Sequence, residues 1–181
     1  MLAKLKKKRP DALVTCDDMT AFKAEEKLDY IFITSGSVSL FTEDEPLRKM
    51  LGSIRDALCR GGLFVFAVDT IACVEPDDDD YRIAARARID ARRELILKTK
   101  NRFDAQTKTQ FSPGIYELIE DGEPIGVESM DFQTHLHSFR EMDGILDAAG
   151  FEVTGVYSSF DKKPATGNDD EMFLYECRLK A

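Results

Sequence analysis

The chain has 181 residues, of which 43% are hydrophobic and 33% charged, and its net charge is −9. That length is enough for one domain with a sizeable core, and the acidic balance argues against broad nucleic-acid or anionic-membrane binding. No apolar run approaches the roughly 18–20 residues that span a bilayer, and no apolar secretory segment opens the chain, so a cytoplasmic protein is expected.

MLAKLKKKRP reads as the last turns of a helix. Leu2 and Leu5 share a face, lysines crowd the carboxyl end where the helix dipole favours cations, and Pro10 stops it. The basic cluster Lys4 and Lys6–Arg9 is then a solvated helix face. Ala12–Cys16 is expected as a short strand, with Asp17-Asp18-Met19 turning at its carboxyl end. Tyr30–Ile33 is a continuous apolar run, which suits a strand buried on both faces of a parallel sheet. Thr42 and Glu45 have capping-box spacing, with Asp44 as the alternative N-cap. Pro46–Arg60 follows as an amphipathic helix, with Leu47, Met50, Leu51, Ile54 and Leu58 on one face and Gly61-Gly62 as its stop. Leu63–Val68 supplies a second apolar strand. Strand, loop, helix and strand make a βαβ unit, normally right-handed. Ligands of such sheets lie beyond the carboxyl ends of the strands, which singles out Thr34–Ser39 and Asp69-Thr70.

From Thr70 the pattern changes. Asp77–Asp80 reads as a solvated loop or helix start, because four adjacent aspartates cannot all face one ion without a shaped loop. Tyr81–Arg88 is expected as a short basic helix. Glu94–His137 alternates as three antiparallel strands, through Leu95 and Leu97, Tyr116 and Leu118, then Phe132, Thr134 and Leu136. Pro113-Gly114 interrupts the middle strand, and Asp121-Gly122 is a hairpin turn. Ser138–Ala149 is a helix with the capping box Ser138-x-x-Glu141, and Gly150 ends it. Phe151–Tyr157 is a strand, Ser158–Asp170 a polar loop, and Glu171–Leu179 a last strand antiparallel to its neighbour. The four cysteines, Cys16, Cys59, Cys73 and Cys177, include no C-x-x-C pair. Three fall in or beside apolar elements, so reduced, buried thiols are expected.

Five pieces, in this order, resemble the class I S-adenosylmethionine-dependent methyltransferases. KLKKKRPDALVTCDDMTAF looks like that family's helix, third strand and acidic-Met-x-x-Phe turn; LDYIFITSGSVSLF looks like its fourth strand and following loop. LRKMLGSIRDALCRGGLFVFAVDT resembles its fourth helix, Gly-Gly corner and fifth strand, SFREMDGILDAAGFEV its late helix and sixth strand, and EMFLYECRLKA its seventh. The likeness is strongest to small-molecule N-methyltransferases. It implies an α/β fold, an incomplete Rossmann-like methyltransferase sheet, mostly parallel with an antiparallel last strand. The whole of 1–181 would be one domain, with 70–137 as an inserted helix plus antiparallel sheet in the substrate or lid region. The family's glycine-rich first loop has no counterpart here, so the chain looks like the carboxyl-terminal part of such an enzyme, impaired alone.

The resemblance implies S-adenosylmethionine as cofactor and a small-molecule acceptor, methylated at nitrogen or oxygen. Asp18 and Met19 then take the adenine, the carboxylate accepting from its amino group and the thioether packing on the ring. Thr34, Ser35 and Gly36 lie where sulfonium and acceptor meet. His135 and His137 are the only histidines and share a face if they lie on a strand. One can serve as general base; as a metal pair they lack an evident third ligand, so no metal is assigned. The plain alternative is a pair of partly buried or surface histidines. Tyr116 and Tyr81 are candidates for the acceptor pocket. Two rival readings stay open: a non-catalytic remnant that pairs with another chain or forms a homodimer through the exposed edge of Tyr30–Thr34, and another doubly wound nucleotide-binding protein.

Overall fold

In the computed structural model, which describes residues 2–181, the apolar stretches build a four-stranded sheet from β1 (Leu28–Ile33), β2 (Leu58–Asp69), β10 (Phe151–Tyr157) and β11 (Met172–Leu179). Their order is β1-β2-β11-β10. β1 and β2 are parallel and joined through α2 (Asp44–Ala57), whereas β11 runs against both of its neighbours. One face of this sheet carries the core. Leu47, Met50, Leu51 and Ile54 of α2 and Met142 and Leu146 of α3 (Met142–Ala148) pack on Phe64, Phe66, Val68, Phe173 and Tyr175. Phe66 stacks on Phe64 and Tyr175, with ring centroids 4.8 and 5.3 Å away.

The other face explains the first correction. β1 is not buried on both faces. Ile31 and Ile33 join the core, but Tyr30 and Phe32 are 52% and 60% exposed, because α2 and α3 lie on the opposite side and β1 pairs, among the described residues, only with β2. Ala12–Cys16 is likewise not a strand: it finds no ladder partner among the described residues, and Leu13 is 98% exposed. Ahead of it, α1 (Leu2–Lys8) ends in its lysines as expected.

The Gly61-Gly62 pair does not stop α2. The helix ends at Ala57, Leu58 turns extended and buries itself, and β2 has begun. The pairing jumps from Leu28↔Leu58 to Tyr30↔Leu63, so the glycines sit in an irregularity of β2. Gly61 has φ of 81°, and a Cβ on Gly62 would stand 2.9 Å from the Leu58 side chain. At the other end neither Thr42 nor Asp44 caps α2. Glu43 occupies that position without a side-chain bond, and Glu45 pairs with Lys49 at 2.7 Å along the helix instead of reaching back.

A second sheet, β3 (Arg82–Arg88), β4 (Arg93–Thr99), β7 (Gly114–Glu120) and β8 (Glu123–Met130), is antiparallel throughout. The basic segment is therefore a strand and not a helix. Ala85 and Ala87 alternate with arginines and lie opposite Leu97 and Leu95. Asp121 and Gly122, with φ of 49° and 90°, form the hairpin turn between β7 and β8. A third, small sheet holds β5 (Arg102–Asp104), β6 (Thr109–Phe111) and β9 (Gln133–His135), so the stretch from β4 to β9 has six strands where three are expected. The aspartate run is structural: Asp77 accepts from the Phe103 N–H and Asp78 from the Asn101 N–H.

α3 is shorter than Ser138–Ala149. Ser138 donates its N–H to Glu141 Oε2 at 2.9 Å, but its hydroxyl accepts from Lys108 instead of capping the helix. Gly150, with φ of 90°, follows the helix end as expected. Of the four cysteines only Cys177 is buried, and desolvation pushes its thiol up to about 12. Cys16 and Cys73 are exposed, against expectation. Among the described residues no helix is long and apolar enough to cross a membrane.

Candidate active site at the ends of β1 and β2

β1 stops at Ile33 and the chain turns at once. Ser35 and Gly36 both have φ near the left-handed value, 61° and 62°, and Ser37–Leu40 then makes one 3-10 turn that buries Val38 and Ser39. The Thr34 carbonyl accepts from the Ser37 hydroxyl at 2.9 Å and its N–H at 3.3 Å, and the Gly36 carbonyl accepts from the Ser39 N–H at 2.8 Å. Of these three residues Ser35 alone keeps its carbonyl outside the turn's bonds.

Asp69 closes β2 beside that corner. Its N–H donates to Ser39 Oγ at 2.8 Å, which ties the two strand ends together. Its carboxylate lies so close to Gly36 that a Cβ there would stand 2.7 Å from Oδ2. The group is half-buried, and desolvation with no compensating partner raises its pKa above the ordinary 3.8. The sheet rule points to this position from sequence, and the structure adds the carboxylate's isolation.

The third sheet reaches the same place. Thr70 and His137 form an isolated parallel bridge, the His137 N–H donates to the Asp69 carbonyl at 2.9 Å, and the Ile71 N–H donates to the His137 carbonyl at 3.2 Å. His135 and His137 do share a face, with ring centroids 4.6 Å apart. The structure supplies the third ligand that the sequence lacked: Glu141 Oε1 lies 2.8 Å from His135 Nε2, and donor atoms of His135, His137 and Glu141 all fall within 4.8 Å of one another. Burial works to raise the Glu141 carboxyl, but bonds from Lys108 Nζ (2.6 Å), the Ser138 N–H and His135 outweigh it and hold the group down at about 2. Desolvation, with the charges of His135 and Lys108, lowers His137 to about 4, so its imidazole is neutral at pH 7. Sequence reasoning reads Glu141 only as a helix cap. The signal it misses is the spacing of two residues and then four from histidine to histidine to glutamate across a tight turn.

The remaining candidates lie elsewhere. One oxygen of Asp18 accepts from the N–H and hydroxyl of Thr20, both at 2.8 Å, which lowers its pKa. Met19 beside it is exposed. No hydrogen bond of this turn reaches Thr34–Gly36. Tyr116 lies on a face of the second sheet, between cavities of about 450 and 520 Å³ to which neither β1 nor β2 contributes. Tyr81 is exposed and lines neither.

No protein-family model matches the chain, and no curated protein sequence does. Solved structures match its architecture. An S-adenosylmethionine-dependent methyltransferase from Clostridium acetobutylicum is similar at a TM-score of 0.77 and 14% identity, over 99% of this chain and 70% of that one. The sugar N-methyltransferase KedS8 from Streptoalloteichus matches at 0.71 and 17%, over 98% and 67%. CalS10 from Micromonospora echinaspora, an amino pentose methyltransferase solved with S-adenosylmethionine bound, matches at 0.60 and 13%, over 99% and 70%. Identities this low speak for the fold alone, and the fold is one that these methyltransferases share.

Proposed function

We propose that the protein takes part in methyl transfer from S-adenosylmethionine to a nitrogen or oxygen of a small-molecule acceptor, at the carboxyl ends of β1 and β2. The observation that carries this reading is the left-handed Ser35–Gly36 corner set against the isolated Asp69 carboxylate, within a fold shared with methyltransferases. When bound, the cofactor supplies a sulfonium methyl that is already electrophilic, so the protein's share is positioning and exclusion of water. Ser35 has a free carbonyl for weak C–H hydrogen bonds near the methyl, and Gly36 lets the backbone come close. Thr34 holds that corner through Ser37. Asp69 accepts a hydrogen bond from the N–H or O–H of the acceptor, aims its lone pair and takes up the released proton. Asp18, with its second oxygen free, and Met19 take the adenine. The proton acceptor is assigned to Asp69 because its carboxylate stands unpartnered against the Gly36 corner, whereas His135 is already bonded to Glu141 and His137 is buried.

Calorimetric titration with S-adenosylmethionine tests the reading. Heat of binding and a thermal upshift are expected, both weakened in Asp18→Ala. Absence of either at millimolar cofactor overturns it.

A second reading is favoured by β1, whose outer edge has no strand partner among the described residues and which carries two exposed aromatics, Tyr30 and Phe32. Such an edge pairs readily with another chain or a second copy.

A further inference from the structure

Outside the proposed cleft, the densest group of chemically capable side chains is the one around His137. That residue is 2% exposed, yet neither ring nitrogen has a hydrogen-bond partner among the described residues. A buried imidazole ordinarily finds a partner for at least one nitrogen, because leaving both bare forfeits their hydration. Its neighbours within reach are the His135 ring and a carboxylate oxygen of Glu141. The glutamate is aimed: Lys108 Nζ and the Ser138 N–H both hold Oε2, which leaves Oε1 for the His135 ring.

We propose that His135, His137 and Glu141 form a binding site for one transition-metal dication of the zinc class. Two imidazoles and a carboxylate are the donor set of open zinc sites, with a fourth position left for water or another ligand. Magnesium and calcium prefer all-oxygen shells, so they are the wrong class here. The size is right. Bonds of about 2.0–2.1 Å place tetrahedral donor atoms about 3.3 Å apart. The 2.8 Å His135–Glu141 contact has to open slightly, and the wider separations, up to 4.8 Å, have to close. Lys108 and Ser138 keep Oε2 while Oε1 turns to the metal, an outer-shell arrangement that fixes the carboxylate. The fourth position opens into the cavity of about 70 Å³, where Glu43 and Asp44 from the start of α2 give the mouth a negative lining. That volume admits an ion and one or two waters, each water filling about 30 Å³. The backbone bonds from His137 to Asp69 and from Ile71 to His137 fix the second imidazole to the end of β2. The site therefore borders the proposed methyl-transfer corner at Asp69 without depending on it.

Metal-stripped protein is titrated with cobalt(II), following visible absorption and, by equilibrium dialysis, stoichiometry. One equivalent with tetrahedral d–d bands, displaced by zinc(II), is expected. His135→Gln and Glu141→Gln, both at partly exposed positions, are expected to bind cobalt roughly tenfold more weakly or worse and to lose the bands, with circular dichroism unchanged. X-ray absorption of the wild-type cobalt complex, which needs no variant, is expected to show two imidazoles in the first shell. No tetrahedral band, a thiolate charge-transfer band from the exposed cysteines, a first shell without imidazole, or equal affinity in folded variants overturns the proposal.

Discussion

At Gly36 two independent restraints fall on one residue. The backbone stands at φ of 62°, and a Cβ would press within 2.8 Å of both Asp69 carboxylate oxygens. Gly36→Ala is therefore expected to lower the unfolding free energy by about 1–2 kcal/mol from the left-handed backbone alone. In urea titrations the midpoint falls while the slope holds. Asp69 itself is expected to weaken the fold it serves. Burial raises its folded pKa, so the native state binds the proton more tightly than the unfolded chain does. Any stabilisation from this group is then present below the unfolded value and lost as pH rises through the folded one, and at neutral pH the charge is a burden. Asp69→Asn is expected to raise Tm by a few degrees at pH 7, an advantage that fades as pH falls through the raised folded value and is gone below the unfolded 3.8, while methyl transfer is lost. A variant less stable than wild type at pH 7 would show that the carboxylate has a stabilising partner. The position of Asp69 is readable from sequence because it follows an apolar strand. Its isolation is not, since that depends on which side chains fail to arrive. Glu141 is the converse case, legible as a cap but not as the partner of His135.

Elements with both a local period and a partner in the chain come out as the sequence suggests: α2 with its apolar face, the β10–β11 pair, and the Asp121-Gly122 turn. Ala12–Cys16 has strand-like residues but no strand beside it, and strand structure exists only in pairs. Arg82–Arg88 has helix-tolerant residues, yet it finds the edge of β4 and adopts the alternation that the arginines and alanines also permit. β1 has the composition of a buried strand and the exposure of an edge. That mismatch has a measurable consequence. In sedimentation velocity the protein is expected to show concentration-dependent association, and Phe32→Lys, a charge on the exposed face, is expected to reduce it. An unchanged profile in the lysine variant would move the contact away from β1.

Across the whole molecule, three segments far apart in sequence meet at Thr70. Its hydroxyl donates to the Asp170 carbonyl at 2.6 Å, its backbone bridges His137, and the next residue, Ile71, donates to the His137 carbonyl. The large sheet, the small sheet and the 158–170 loop are joined there, next to Asp69 and the histidine pair. Thr70 is fully buried, so Thr70→Val keeps the shape while leaving a carbonyl of the loop without its donor. The expected loss is about 1–3 kcal/mol, the penalty of an unsatisfied buried acceptor. Where the loss appears matters more than its size. If the two sheets are separate cooperative units coupled through this residue, hydrogen exchange should quicken at the Ile71 and His137 amides, while Phe64 and Phe66 at the sheet centre keep their protection relative to the new global stability. A uniform acceleration, with the junction no faster than the centre, would mean that the sheets unfold together. The candidate site would then rest on the core as a whole rather than on a single joint.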